Sequence, residues 1–140
     1  MRARCSATAA VMLALALGAC GESDQEQAQN TVCDAKTDIG KQVNELQSLT
    51  PATVTVDGVT QNLDAIKADL KDISDAQSDL SSDRRSEAEA ANKAFSSSVE
   101  EIASELGSSL SASEAKAGVV TAIDQLAASY QKAFAPLNCD

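Results

Sequence analysis

Beyond residue 30, apolar residues recur every three or four positions along almost the whole chain, the period of helices buried on one side. Val32, Ala35, Ile39, Val43, Leu46 and Leu49 mark a first helix; Thr31-x-x-Asp34 has the form of a capping box at its start, and Thr50-Pro51 ends it. Residues 52–58 alternate apolar and polar up to Asp57-Gly58, which predicts an extended turn too short to build a sheet. Val59, Leu63, Ile66, Leu70, Ile73 and Leu80 then follow the four-and-three spacing of a coiled-coil seam. The series continues as Ala88, Ala91, Phe95, Val99, Ile102 and Leu106, and neither Gly nor Pro interrupts residues 59–106. A last segment opens on the capping box Ser111-x-x-Glu114, carries Val119, Val120, Ile123, Leu126, Tyr130 and Phe134, and stops before Pro136. The pattern predicts an all-α fold of antiparallel helices.

The first twenty residues do not belong to that pattern. Arg2 and Arg4 precede an apolar run of nine, Ala9 to Leu17, followed by Gly18, Ala19 and Cys20. Nine residues fall well short of the roughly 20 that a membrane-spanning helix needs, so residues 1–19 read as a signal peptide. Leu17-Gly18-Ala19-Cys20 resembles the lipobox of bacterial lipoproteins. That resemblance implies that the Cys20 thiol receives a diacylglyceryl group and becomes the first residue after cleavage. An ordinary cut after Ala19 would place the bulky Leu17 where a small residue is preferred. Residues 20–30 are polar and charged without apolar periodicity. They read as a lipidated flexible tether, residues 21–30 spanning some 17–19 Å.

Processing of this kind removes Cys5, commits Cys20 to lipid, and leaves Cys33 and Cys139. In an exported protein these two predict an internal disulfide that closes residues 31–140 into one domain; a bond between chains and a pair of free thiols are the alternatives. An internal bond restricts how the helices pack, because cysteines whose Cα atoms lie more than about 7 Å apart are not bridged. Three equal helices running up, down and up would hold the chain ends apart. Two arrangements remain. In one, residues 59–106 form a single helix about 70 Å long, flanked by two shorter helices. In the other, the chain breaks near residues 81–83 to give a four-helix bundle. Residue register and the narrow apolar stripes favour the first arrangement, in which Cys33 and Cys139 meet beside the middle of the long helix, Tyr130 and Phe134 face Ala88 and Arg84, and Arg84 can stack on a ring.

Composition narrows the chemistry. The chain of 140 residues carries 11 basic and 21 acidic residues, no His and no Trp, and its only aromatics are Phe95, Tyr130 and Phe134. Loss of Arg2 and Arg4 takes the net charge from −10 to −12. So acidic a chain with so little to stack on a base is not built for nucleic acid. Without His, a serine triad of the usual kind and histidine metal ligation are excluded. Ser113-Glu114-Ala115-Lys116 has the S-x-x-K spacing but lacks the partner motifs S-D-N and K-T-G, and it reads as first-turn polarity. Asp69, Asp72, Asp75, Asp79 and Asp83 recur at helical spacing with Lys67 and Lys71 interleaved, which reads as a solvated face. No EF-hand loop precedes Asp57-Gly58. No catalytic, cofactor or metal residues are therefore expected.

The body also resembles a group of short exported actinobacterial proteins, through Cys33, Asp57-Gly58, Asn62-Leu63, Ile66, Leu70 and Cys139. That resemblance implies a helical, cysteine-closed architecture and no particular activity. The expected role is non-catalytic: a helical module anchored through Cys20 to the outer face of a cell-envelope membrane, serving as a spacer, adaptor or docking surface for an envelope protein. The competing expectation is a carrier that holds a small apolar or lipid ligand between helices, in space left by Ala88, Ala91 and Ala94.

Overall fold

A computed structural model describes residues 23–106 and 113–139. Residues 1–22, with Cys5, the proposed signal peptide and Cys20, lie outside the described residues. So does Ser111 of the last capping box.

Ser23 opens the first helix, α1 (Asp24–Gln47), through a reciprocal cap. Its hydroxyl accepts from the Glu26 amide at 3.2 Å, and the Glu26 carboxylate accepts from the Ser23 amide at 3.1 Å. This corrects the expected tether, because residues 24–30 are helical. Ala28 is buried and extends the stripe of Val32, Ala35, Ile39, Val43 and Leu46 by one turn. Thr31 is accordingly no cap; its hydroxyl donates to the Gln27 carbonyl within the helix.

A loop held by mutual Thr50–Thr53 hydrogen bonds carries the buried Val54 into α2 (Val56–Ala76). Thr55 caps α2 by accepting from the Gly58 amide at 3.1 Å. Asp57-Gly58 is therefore the first turn of a helix and not the expected extended turn, because Thr55 satisfies a free amide there. α2 buries Val59, Leu63, Ile66, Leu70 and Ile73 and tightens into a 3₁₀ turn over Gln77–Asp79. Leu80 and Ser81 are extended (ψ 154° and 156°), and α3 (Ser82–Glu105) begins beyond them. α4 (Ser113–Phe134) completes the set.

The long central helix is thereby overturned, and the four-helix alternative holds. α1 packs against α2 and α4, and α3 packs against the same two, so the helices close into a ring. Arg85 meets Gln77 and Ser78 while Asn92 Nδ2 donates to Leu70 O, and Ser98 meets Ser129 while Phe95 meets Phe134, so α2–α3 and α3–α4 run antiparallel. The described core is wholly apolar, with no polar side chain buried among the described residues. No described helix is long and apolar enough to cross a membrane.

The break at residue 80 follows from what the corner supplies. The last carbonyls of a helix lack intrahelical partners. Here Arg85 returns from the first turn of α3, donating from Nε to Gln77 O at 3.0 Å and from Nη2 to Ser78 O at 2.8 Å. Leu80 stays 6% exposed, so reversing direction costs no apolar burial.

Candidate functional site

Chemistry-bearing groups gather at the end of the bundle where α1 begins and α4 stops. Cys33 and Cys139 form the expected disulfide, with Cα atoms 5.5 Å apart. α4 ends at Phe134, and the non-helical residues 135–139 continue between α1 and α3. Three side-chain contacts besides the disulfide hold this tail. Lys36 Nζ donates to the Leu137 carbonyl at 2.7 Å, Arg84 Nη1 donates to the Asn138 carbonyl at 2.6 Å, and the Leu137 side chain is buried to 3% exposure. Both cations bind carbonyls of the tail itself, beyond the last turn of α4.

Arg84 does not stack on an aromatic ring, and the sequence-based register of the last helix is corrected with it. The Ser98–Ser129 contact places α4 about two and a half helical turns from the expected alignment. Tyr130 and Phe134 meet Phe95 rather than Ala88 and Arg84, with edge-on ring centroids at 5.7 Å and 5.6 Å. All three aromatics of the chain thus form one cluster, completed by Tyr130–Phe134 at 5.1 Å. The cysteines meet where three helices and the tail converge, not beside the middle of a long helix.

The acidic residues separate across this geometry. Asp72, Asp75 and Asp79 line a groove with Asp24, Gln27 and Thr31 of α1, whereas Asp83 lies on α3. Asp75 pairs with Lys71. Asp69 is partly covered, and burial, then the Asp38 and Asp72 carboxylates, push its carboxyl above the ordinary value, against a smaller opposing effect of Lys41. Among the described residues no three His, Cys, Asp or Glu side chains stand together so that they could hold a metal ion. Ser113 begins α4.

Of the three alanines expected to leave ligand space, Ala88 and Ala91 are close-packed, at 0% and 2% exposure. Ala94 is exposed instead and lines an open groove between α3 and α4 with Ala90, Ala133 and Pro136. The groove holds about 600 Å³, and Glu87 and Lys132 are its charged lining residues.

Sequence reasoning missed Arg85, Lys36 and Ser23. Ser23-x-x-Glu26 was the one readable signal among them, since it has capping-box form. The partners of Lys36 and Arg85 are backbone carbonyls, which no residue pattern marks. No family model, curated protein or solved structure matches this chain.

Proposed function

We propose that the protein is a lipid-anchored, non-catalytic helical module of the cell envelope, acting as a spacer or docking surface for an envelope protein. The observation that carries this reading is Leu17-Gly18-Ala19-Cys20, set directly behind an apolar run and three residues ahead of the capped helix start at Ser23. With so short a link, at most about 10 Å separates an acylated Cys20 from the bundle. The disulfide-closed end then faces the bilayer, and helices of 21 to 24 residues carry the opposite end about 36 Å outward. The apolar, fully packed core and the acidic exterior support a scaffold rather than a reaction site.

Expression of Cys20→Ser tests the anchor. The variant is expected to leave the membrane fraction while keeping its helical content, and intact mass analysis of the unaltered protein is expected to show acyl chains. Continued membrane association of the variant would overturn the reading. Crosslinking in intact envelopes then tests for a protein partner.

A second reading, a carrier of a small apolar molecule, draws support from the Ala-lined groove between α3 and α4. Native mass analysis that finds the purified protein free of any bound molecule would remove it.

A further inference from the structure

The disulfide joins a helix to a tail, not a helix to a helix. Cys33 directly follows the buried Val32 in α1, whereas Cys139 lies five residues past the end of α4. Each helix packs on two neighbouring helices. Phe95, Phe134, Ile39, Ile66 and Ile123 are buried within the helical body itself, with Tyr130 partly buried against them. The bond therefore acts directly on residues 135–139.

Three further observations bear on how firmly the tail is held. Cys139 is exposed and Cys33 half-buried, so a small thiol reaches the bond without unfolding the bundle. The tail has no helical ladder beyond the Ala135 and Leu137 amides, which donate to Gln131 O and Phe134 O at 3.1 Å each. Its remaining fasteners are one buried leucine and two cation–carbonyl hydrogen bonds, opposed by the conformational entropy of ordering five residues. These opposing quantities are of similar size, so the covalent bond decides whether the tail stays down.

We infer that Cys33–Cys139 is a redox-sensitive fastener, whose reduction by a dithiol frees residues 135–139 while the four helices remain packed. A thiolate of the reductant attacks one cysteine sulfur, breaks the S–S bond and forms a mixed disulfide. The second thiol of the reductant then closes its own disulfide. Two electrons and two protons pass to the protein, leaving Cys33 and Cys139 as thiols. Release withdraws Leu137 from the core and frees Lys36 and Arg84 from their carbonyls. The end of the bundle thereby changes from a closed surface to an open one, on which Lys36 and Arg84 have lost their carbonyl partners.

Amide hydrogen exchange on the full chain, oxidised and in millimolar dithiothreitol, tests this. The expected result is exchange at Leu137 faster by roughly 10-fold or more on reduction, with Val43 and Ile123 remaining slow and helical circular dichroism unchanged. Cys139→Ser without reductant is expected to reproduce the reduced pattern. Equal acceleration at Leu137, Val43 and Ile123 would make the bond a global staple and overturn the inference. So would an unchanged Leu137, or a bond that dithiothreitol cuts only after denaturation.

Discussion

A β-carbon placed on Gly40 would lie 2.8 Å from the Tyr130 hydroxyl oxygen and 3.3 Å from Cζ of the same ring. Gly40 is thus the gap in α1 through which α4 makes its polar contact, the Tyr130 hydroxyl donating to the Lys36 carbonyl at 2.7 Å. The ring has little room to retreat, because Phe95 and Phe134 pack against it.

Gly40→Ala is therefore expected to destabilise the protein, even though alanine in a helix interior ordinarily gains about 1 kcal/mol over glycine. A net loss of about 1 kcal/mol is expected in urea unfolding. The same substitution in a Tyr130→Phe background, where the nearest atom is gone, is expected to cost clearly less. A coupling of about 1 kcal/mol between the two sites would establish the contact; strict additivity would refute it.

Tyr130 also gives the fold an alkaline limit. Burial pushes its phenol above the ordinary value of 10.0, so the neutral form is favoured in the folded state. The stability contributed is complete below pH 10.0, the unfolded value, and is lost as pH rises through the higher folded value. Denaturation midpoints measured from neutral to strongly alkaline pH are expected to fall less in Tyr130→Phe than in the unaltered protein. Parallel curves would show that the phenol does not contribute.

Arg85 is expected to matter more than its exposed position implies. Truncation to alanine leaves the carbonyls of Gln77 and Ser78 without their guanidinium donor and is expected to cost about 1 kcal/mol. Arg85→Lys should recover only part of the loss, since an ammonium lacks the fork that reaches both oxygens. Full rescue by lysine would indicate a general charge effect at the helix end instead.

Asp69 carries the opposite sign from a paired carboxylate. Partial burial and the facing Asp38 and Asp72 carboxylates raise its folded value, so its ionisation is disfavoured in the fold. Its contribution to stability is complete below the unfolded value of 3.8 and is lost as pH rises through the folded one. Asp69→Asn is expected to stabilise the protein at neutral pH by up to about 0.5 kcal/mol. The advantage should vanish on acidification to pH 3; an advantage that persists there would point to a cause other than charge.

Much of the helical architecture was legible because burial imposes a period. Ile39, Leu63, Phe95 and Ile123 were all readable as core from their spacing, and all are at most 1% exposed. Cys33 and Cys139 were readable as a candidate pair only through the expected removal of Cys5 and lipidation of Cys20, with a bond between chains or free thiols as alternatives; the fold joins them within the chain. Cap positions were less legible. Ser23-x-x-Glu26 and Thr31-x-x-Asp34 both have capping-box form, and burial of Ala28 against the rest of the core selects the earlier start.

The sequence by itself determined that the chain would be helical and which face of each helix would be covered; that Cys33 and Cys139 meet within one chain was decided by the fold. The sequence leaned wrongly to one long helix over two, because Leu80 fits the apolar series whether the chain continues or turns. The tertiary structure decided for the turn. Arg85 satisfies the carbonyls that the break exposes, and Leu80 is buried beside it. The partners of Arg84, Arg85 and Lys36 were likewise fixed only by packing. A backbone carbonyl has no residue identity, so a contact with one leaves no trace in the pattern of side chains.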